Sequence, residues 1–235
     1  MKIINDQSFI NEIAWLTLTF AFEPRPEHSE HKRGDSNQHP HFRSTVRIHP
    51  PALSMSPHSP TVLIRDSAEA DLPAIKTIYA HHVQHGTASF ELEPPSIAEM
   101  RQRRAGVLEK EMPYLVAEIN GEVVGYAYVT PYRPRPAYRH TVEDSVYVKA
   151  GRAGLGIGGK LLAALIERCT AAGWRQMLAV VGDSRNAASL ALHASQGFHP
   201  VGTLRSVGHK HGEWRDAVLM QRSLGESDTT PPQRP

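Results

Sequence analysis

The stretch Arg152-Ala153-Gly154-Leu155-Gly156-Ile157-Gly158-Gly159-Lys160 carries the clearest chemical signal in the chain. Glycines let backbone amides approach a ligand closely and accept positive φ. The residues that follow have a helical apolar pattern, and a helix N-terminus aims free N–H groups and a positive dipole end at an anion. The turn is therefore expected to hold phosphates. Two phosphate motifs overlap in it. Gly154 to Lys160 has the spacing G-x-x-x-x-G-K, but a P-loop needs a Mg²⁺-binding Ser or Thr next, and the residue there is Leu161. Gly154, Gly156 and Gly159 satisfy the dinucleotide pattern G-x-G-x-x-G, and Asp183 ends the next strand-like run, where a ribose-binding acid could sit. Against a dinucleotide fold, the run feeding the turn carries Thr141, Glu143, Asp144, Ser145 and Lys149, unlike a buried parallel strand, and an antiparallel hairpin precedes it.

The elements that must position this turn can be read from periodicity. Thr61–Arg65 is strand-like, and Asp71-Leu72-Pro73 opens a helix with proline in its first turn. Leu72, Ile75, Ile78, Tyr79 and His82 then share one helical face. Ser96 and Glu99 have capping-box spacing and start a second helix. Tyr114–Ile119 and Glu122–Thr130 are apolar strands joined by Asn120-Gly121, a strong hairpin signal. Thr141–Lys149 is a further strand. Gly158 to Ala172 is a helix with Leu161, Leu162, Leu165, Ile166 and Cys169 as its buried stripe and Gly173 as its stop. Gln176–Gly182 is a buried strand, Asn186–Gln196 a short helix ended by Gly197, and strands near Phe198–Val207 and Trp214–Gln221 follow. This order predicts a mixed α/β sheet in one domain spanning residues 61–224.

Composition bounds the function. Of 235 residues, 26 are Lys or Arg and 24 are Asp or Glu, so charge gives no reason to expect nucleic acid or a membrane surface as partner. Cys169 is the only cysteine, which leaves no disulfide framework and no cysteine metal site, and fits a reducing, cytoplasmic compartment. The apolar run from Ile13 to Phe22 is too short to span a membrane and lacks the flanks of a signal peptide. The rest of residues 1–60 is rich in Pro, His, Ser and Arg and is expected to be a disordered extension, although a histidine-rich tract can also bind metal. Met55 stands just before the first strand and is the expected natural start. Residues 225–235 read as a disordered tail.

The glycine turn also resembles the coenzyme A pyrophosphate loop, Q/R-x-x-G-x-G/A, of GNAT acetyltransferases, with Ala153 in place of the usual Gln or Arg and Arg152 beside it. Further segments resemble the phosphinothricin N-acetyltransferase family within that superfamily. They are IRDSAEADLPAI, TASFELEP, YLVAEINGEVVGYAY, AYRHTVEDSVYV, NAASLALHASQGF and TLRSVGHKHGEWRDAVLMQ, in order from about Ile64 to Gln221. The resemblance implies the GNAT fold, acetyl-CoA as co-substrate, a small amino-acid-like amine such as phosphinothricin or methionine sulfoximine as acceptor, and a homodimer.

The same resemblance assigns residues. Glu143 matches the general base, a role a carboxylate in a partly apolar site can fill directly or through water. Asp144, on the opposite strand face, is not expected to share it. Val146, Tyr147 and Val148 match the strand whose backbone pairs with the pantetheine arm and offers an amide to the oxyanion. Arg152, Gly154, Leu155, Gly156, Ile157, Gly158 and Gly159 form the pyrophosphate loop, and Asn186 and Ser189 match cofactor contacts at the next helix. Asn186 is equally an N-cap. His193 stands where many GNAT enzymes place the tyrosine that protonates the departing thiolate, and is otherwise a satisfied structural histidine. Phe90, Tyr138 and Thr141 match the substrate side, with Glu91 where close relatives tend to carry a basic residue. Lys210 and His211 belong to a K-H-G-x-W hairpin that either attracts a substrate anion or is a solvated turn. His81, His82 and His85 read as structural or surface, and His209 with His211 supplies too few ligands for zinc, so no metal is expected. Alternatives that keep the fold are transfer to a protein N-terminus or another amine, and a non-catalytic coenzyme-A-binding module.

Overall fold

A computed structural model describes residues 61–233. The apolar run at 13–22, the histidine-rich stretch and Met55 lie outside them. Seven strands form one sheet in the order β1-β2-β3-β4-β5-β7-β6. They are β1 (Leu63–Asp66), β2 (Tyr114–Ile119), β3 (Glu122–Pro131), β4 (Thr141–Val148), β5 (Gln176–Gly182), β6 (His199–Lys210) and β7 (Glu213–Ser223). Four helices, α1 (Leu72–His85), α2 (Ile97–Leu108), α3 (Ile157–Ala171) and α4 (Ala187–Ser195), cover it. Every strand pair is antiparallel except β4 with β5. One parallel pair inside an antiparallel sheet rules out the doubly wound dinucleotide fold, whose sheet is built from successive parallel crossovers.

Local sequence explains the boundaries. Asn120 and Gly121 both take positive φ, 51° and 81°, the pattern of a type I′ turn whose twist matches the β2–β3 ladder. Ser96 caps α2 by accepting from the Glu99 amide at 3.1 Å. The return half of a capping box is absent, because the Glu99 carboxylate pairs with Arg103 one turn on. α3 starts at Ile157, one residue before the glycine pair, because Gly156 takes φ 71° and serves as N-cap. Residues 225–233, expected as part of a disordered tail, form turns that the Arg175 guanidinium and the Gln176 amide hold through Ser227.

The two faces of β4 are distinct. Residues opposite each other in an antiparallel pair point the same way. Glu143, Ser145 and Tyr147 therefore share a face with Thr130, Tyr128 and Tyr126 of β3. Tyr79 of α1 packs on Tyr147 with ring centres 5.0 Å apart, so this is the α1 side. The other face carries Val142, Asp144, Val146 and Val148 and is roofed by α3, whose Leu161, Leu162, Leu165 and Cys169 are fully buried. No helix among the described residues is long and apolar enough to cross a membrane.

Leu165 is fully buried at the centre of the α3 contact. Truncating it to alanine removes transfer energy and leaves a cavity, so Leu165→Ala is expected to lower unfolding free energy by about 2–5 kcal/mol in a denaturant titration. A loss within about 0.5 kcal/mol, the range of a surface change, would contradict this packing.

Candidate active site

β4 and β5 pair only from Thr141↔Gln176 to Asp144↔Ala179. Beyond that point β4 stays with β3 as far as Val148, and β5 stays with β7 as far as Gly182. The two strands part between them, and a cleft opens in the middle of the sheet. A small cavity of about 50 Å³ lies at the fork, lined by Asp144, Ser145, Val146, Val181, Asn186 and His193 among others. A groove of about 760 Å³ continues outward past Val146 and Val148 to Arg152, Gly154 and Gly156–Gly159.

The glycine turn suits an anion. Cβ atoms built at Gly154 and Gly156 would meet nothing within 4 Å, and both residues take positive φ, 80° and 71°. The space beside them is open to a ligand, and the backbone shape needs glycine. The amides of Ile157, Gly158 and Gly159 precede the first bond of α3, Lys160 N–H to the Gly156 carbonyl at 3.1 Å, so they have no intrahelical acceptor. Gly158 sits 3.2 Å, measured from a built Cβ, from the Leu192 side chain, so it also lets α3 and α4 approach. Arg152 lines the groove while its guanidinium bonds Glu122 at 2.7 Å. Leu155 is 42% exposed and is not among the residues that line the groove. A free anion cradle running into a strand edge fits the phosphates and extended arm of coenzyme A.

Asn186 and Ser189 line both the cavity and the groove. Asn186 Oδ1 accepts from the Ser189 amide at 3.2 Å, so its capping role is real and leaves its position at the groove intact. Tyr147 also lines the cavity, and its ring packs against those of Tyr79 and Tyr126. Asp183, the candidate ribose acid, borders the groove, but it is buried and tied to Arg215 at 2.8 Å and to Arg185 at 3.1 Å.

His193 is 5% exposed and lines the cavity. Its Nδ1 lies 2.7 Å from the Ser189 carbonyl, which can only accept, so Nδ1 carries hydrogen. Its Nε2 lies 3.1 Å from Asp144 Oδ2. Burial works to lower the imidazole pKa, but Asp144 and the Ser189 carbonyl outweigh it and hold the ring above its ordinary range. Asp144 is therefore part of the site. Strand alternation separates it from Glu143, as expected, but the face it turns to is the one that α4 and His193 occupy.

Glu143 stands on the α1 face, one pleat repeat before Ser145, which lines the cavity. Burial and the charge of Asp144 push its carboxyl up to about 7, against a smaller opposing effect of Arg133. That places it where a base can work near neutral pH.

The expected acceptor-side residues fall into two groups. Thr141 begins β4, and Tyr138 lies in the short turn before it with its ring 5.6 Å from Tyr132. Phe90 packs on Gly208 and Gly182, which fastens the loop after α1 to the sheet. Lys210 does not sit on a solvated turn: it is 2% exposed, and its ammonium donates to the Ser89 carbonyl at 2.5 Å. His211, at φ 54°, reaches the Gly86 carbonyl at 3.3 Å. Both tie the hairpin to the 86–91 loop and line neither cavity nor groove. In that loop Glu91 accepts from the Tyr79 hydroxyl at 2.9 Å and from Arg103 at 2.5 Å, so α2 supplies a guanidinium beside it. His82, expected to be structural or at the surface, donates from Nε2 to the Val148 carbonyl at 2.8 Å and also lines the groove.

Residues 76–198 match the model of the Acetyltransferase (GNAT) family. The chain belongs to the GNAT acetyltransferases. It is 57% identical to a phosphinothricin N-acetyltransferase of Alcaligenes faecalis, over 72% of this chain and 86% of that protein. It is 41% identical to an L-methionine sulfoximine/L-methionine sulfone acetyltransferase of Pseudomonas aeruginosa, over 72% of this chain and 98% of that protein. Among solved structures it resembles a GNAT superfamily phosphinothricin acetyltransferase from Sinorhizobium meliloti in complex with acetyl-CoA, with a TM-score of 0.72 and 45% identity, covering 74% of this chain and 94% of that one. The mixed sheet with flanking helices is the GNAT fold.

A buried carboxyl with a raised pKa has a stability signature. The folded Glu143 holds its proton up to about 7, against an ordinary glutamate value of 4.5. The folded chain binds more protons in that window, so this group's contribution is present below 4.5 and lost as pH rises through 7. Glu143→Gln is therefore expected to raise the melting temperature relative to the parent at about pH 8 and to change it little at about pH 4. A difference independent of pH would contradict the raised value.

Proposed function

We propose that this GNAT acetyltransferase moves the acetyl group of acetyl-CoA to the amine of a small amino-acid-like acceptor such as phosphinothricin or methionine sulfoximine, by direct attack with Glu143 as general base. The observation that carries this proposal is the cleft itself. It joins an anion cradle at Gly154–Gly159 to the Val146–Val148 edge and ends at Asp144 and His193, with Glu143 on the opposite face of β4. The acceptor class follows from the relatives named above.

In this mechanism the amides of the glycine turn and of α3 hold the pyrophosphate, with Arg152 beside them. The free edge of β4 at Val146–Val148 aligns the pantetheine arm and offers an N–H to the oxyanion. Asn186 and Ser189 close the far wall. Glu143 takes the amine's proton, directly or through water. The neutral amine then forms its bond to the carbonyl carbon as the C–S bond breaks, the nitrogen sheds its second proton to solvent, and His193 gives a proton to the thiolate. Cys169 is buried on α3, away from the cleft lining, so no acetylated cysteine is invoked. Phe90, Tyr138 and Thr141 border the acceptor, and Lys210 and His211 act by holding the 86–91 loop. A homodimer and a cytoplasmic location complete the proposal, the first from family resemblance and the second from the single cysteine.

The test is thiol release from acetyl-CoA by the full chain, with phosphinothricin, methionine sulfoximine and free amino acids as acceptors. Turnover with the first two is expected, and Glu143→Gln is expected to lower kcat roughly 10²–10⁴-fold with acetyl-CoA binding retained. No turnover with any of these acceptors while acetyl-CoA still binds would overturn the acceptor class. Unchanged kcat in Glu143→Gln would remove Glu143 as base.

A further inference from the structure

The open edge of β4 carries one contact that the mechanism above does not use. The Thr141 carbonyl accepts from the Tyr132 amide at 3.2 Å, and the Lys149 amide donates to the Val124 carbonyl at 2.9 Å, both toward β3. Successive residues of a strand turn their peptide groups to opposite edges, so Val142, Asp144, Val146 and Val148 face β5. β5 departs after Asp144↔Ala179. The N–H and C=O groups of Val146 and Val148 therefore face the opening, and both residues line the groove. The last of these four groups is already taken. His82 of α1 donates from Nε2 to the Val148 carbonyl at 2.8 Å. Val148 ends β4, and the chain then turns, with Gly151 at φ 76° and the Arg152 amide on the Lys149 carbonyl at 3.1 Å. The capped carbonyl stands where the strand edge gives way to the glycine turn.

We propose that His82 is a positioning residue for acetyl-CoA: by capping the Val148 carbonyl from α1 it leaves the open edge of β4 as a donor–acceptor–donor row, and so sets the register in which the cofactor arm pairs with the strand. The inference rests on the acetyl-transfer function proposed above and deepens it.

The row that remains is selective. From the Glu143 end it offers Val146 N–H, Val146 C=O and Val148 N–H. Its complement is a chain that presents a carbonyl, an N–H and a carbonyl in that order. A thioester followed by amides, the chemistry of an acylated pantetheine arm, can present them. An arm moved one repeat toward the glycine turn would bring its N–H to the Val148 carbonyl, where the imidazole already stands.

Ring contacts hold the imidazole in place. It packs on Tyr147 with centres 5.4 Å apart and on His81 with centres 5.9 Å apart. The cap needs no charge. A carbonyl only accepts, so Nε2 carries hydrogen in the neutral ring as in the charged one. Burial, against the opposing pull of the Val148 carbonyl, holds the imidazole below its ordinary pKa, and the charges of His81 and Lys210 act in the same direction as burial. His82 therefore serves the arm, while the phosphates have the glycine-turn amides and Arg152.

His82→Phe and His82→Gln in the full chain test this. The first keeps a ring without the donor, and the second keeps an N–H donor. Calorimetry without acceptor measures two ligands: acetyl-CoA, which carries the arm, and adenosine 3′,5′-bisphosphate, which carries phosphates but no arm. In His82→Phe the Kd for acetyl-CoA is expected to rise roughly 3- to 10-fold, the range of one hydrogen bond, with the Kd for the bisphosphate within about twofold of the parent. Free His82→Phe is also expected to exchange its amides over residues 146–149 faster than the free parent. His82→Gln is expected to recover most of both effects. Equal weakening of both ligands in His82→Phe would make His82 a phosphate-binding group and overturn the proposal. Parental acetyl-CoA binding in His82→Phe would overturn it as well. So would a His82→Gln chain as weak as His82→Phe, since ring packing would then matter and the donated bond would not. Should His82→Phe not fold, His82→Leu is read in the same way. A parent that binds neither ligand would overturn the acetyl-CoA function first, and this proposal with it.

Discussion

The structure depends on the parting of β4 from β5. Parallel neighbours in a sheet normally satisfy each other along their length. Here the ladder stops at Asp144↔Ala179, and each strand keeps its other neighbour. Backbone groups are thereby left without sheet partners in the interior of the fold, where such groups must find partners elsewhere. An extended acyl-CoA arm can supply them. The remaining features serve that opening. α3 starts at its outer end and turns free amides toward it. α4 walls it through Asn186, Ser189 and His193, and His82 takes one β4 carbonyl from the α1 side.

The second constraint is electrostatic. β4 is one strand thick, so Glu143 and Asp144 lie close together yet face different surroundings. Asp144 has His193 to balance it. Glu143 has no such close cation, and burial together with the Asp144 charge keeps its carboxyl near neutrality. The same arrangement that stabilises an imidazolium on one face therefore favours a proton-accepting carboxyl on the other. Neighbouring groups whose environments push their proton affinities apart are the usual basis for dividing acid and base roles.

Much of this was legible in the sequence because local rules carried it. The Asn120-Gly121 turn, the Gln176–Gly182 strand and the buried stripe of α3 follow from turn chemistry and periodicity, and they appear where those rules put them, except that Ile166 of the stripe is only partly buried. The glycine turn, with positive φ at Gly154 and Gly156, was legible for the same reason. What the sequence did not show was tertiary. Alternation correctly placed Asp144 opposite Glu143, but nothing local reveals that a helix 49 residues away brings His193 to that face. Lys210 looks like a charge on a hairpin tip, and only the fold shows its ammonium buried on the Ser89 carbonyl. The Asp183 position fitted a ribose-binding acid by spacing alone, until Arg185 and Arg215 were seen to occupy it.

The central claim is that the β4–β5 opening and the glycine turn together receive acetyl-CoA. Amide hydrogen–deuterium exchange, with and without saturating acetyl-CoA, tests it most directly. The account predicts slowed exchange over residues 145–148 and 154–159, with the β6–β7 hairpin unchanged. Bound acetyl-CoA that leaves both segments exchanging as in the free chain would contradict it.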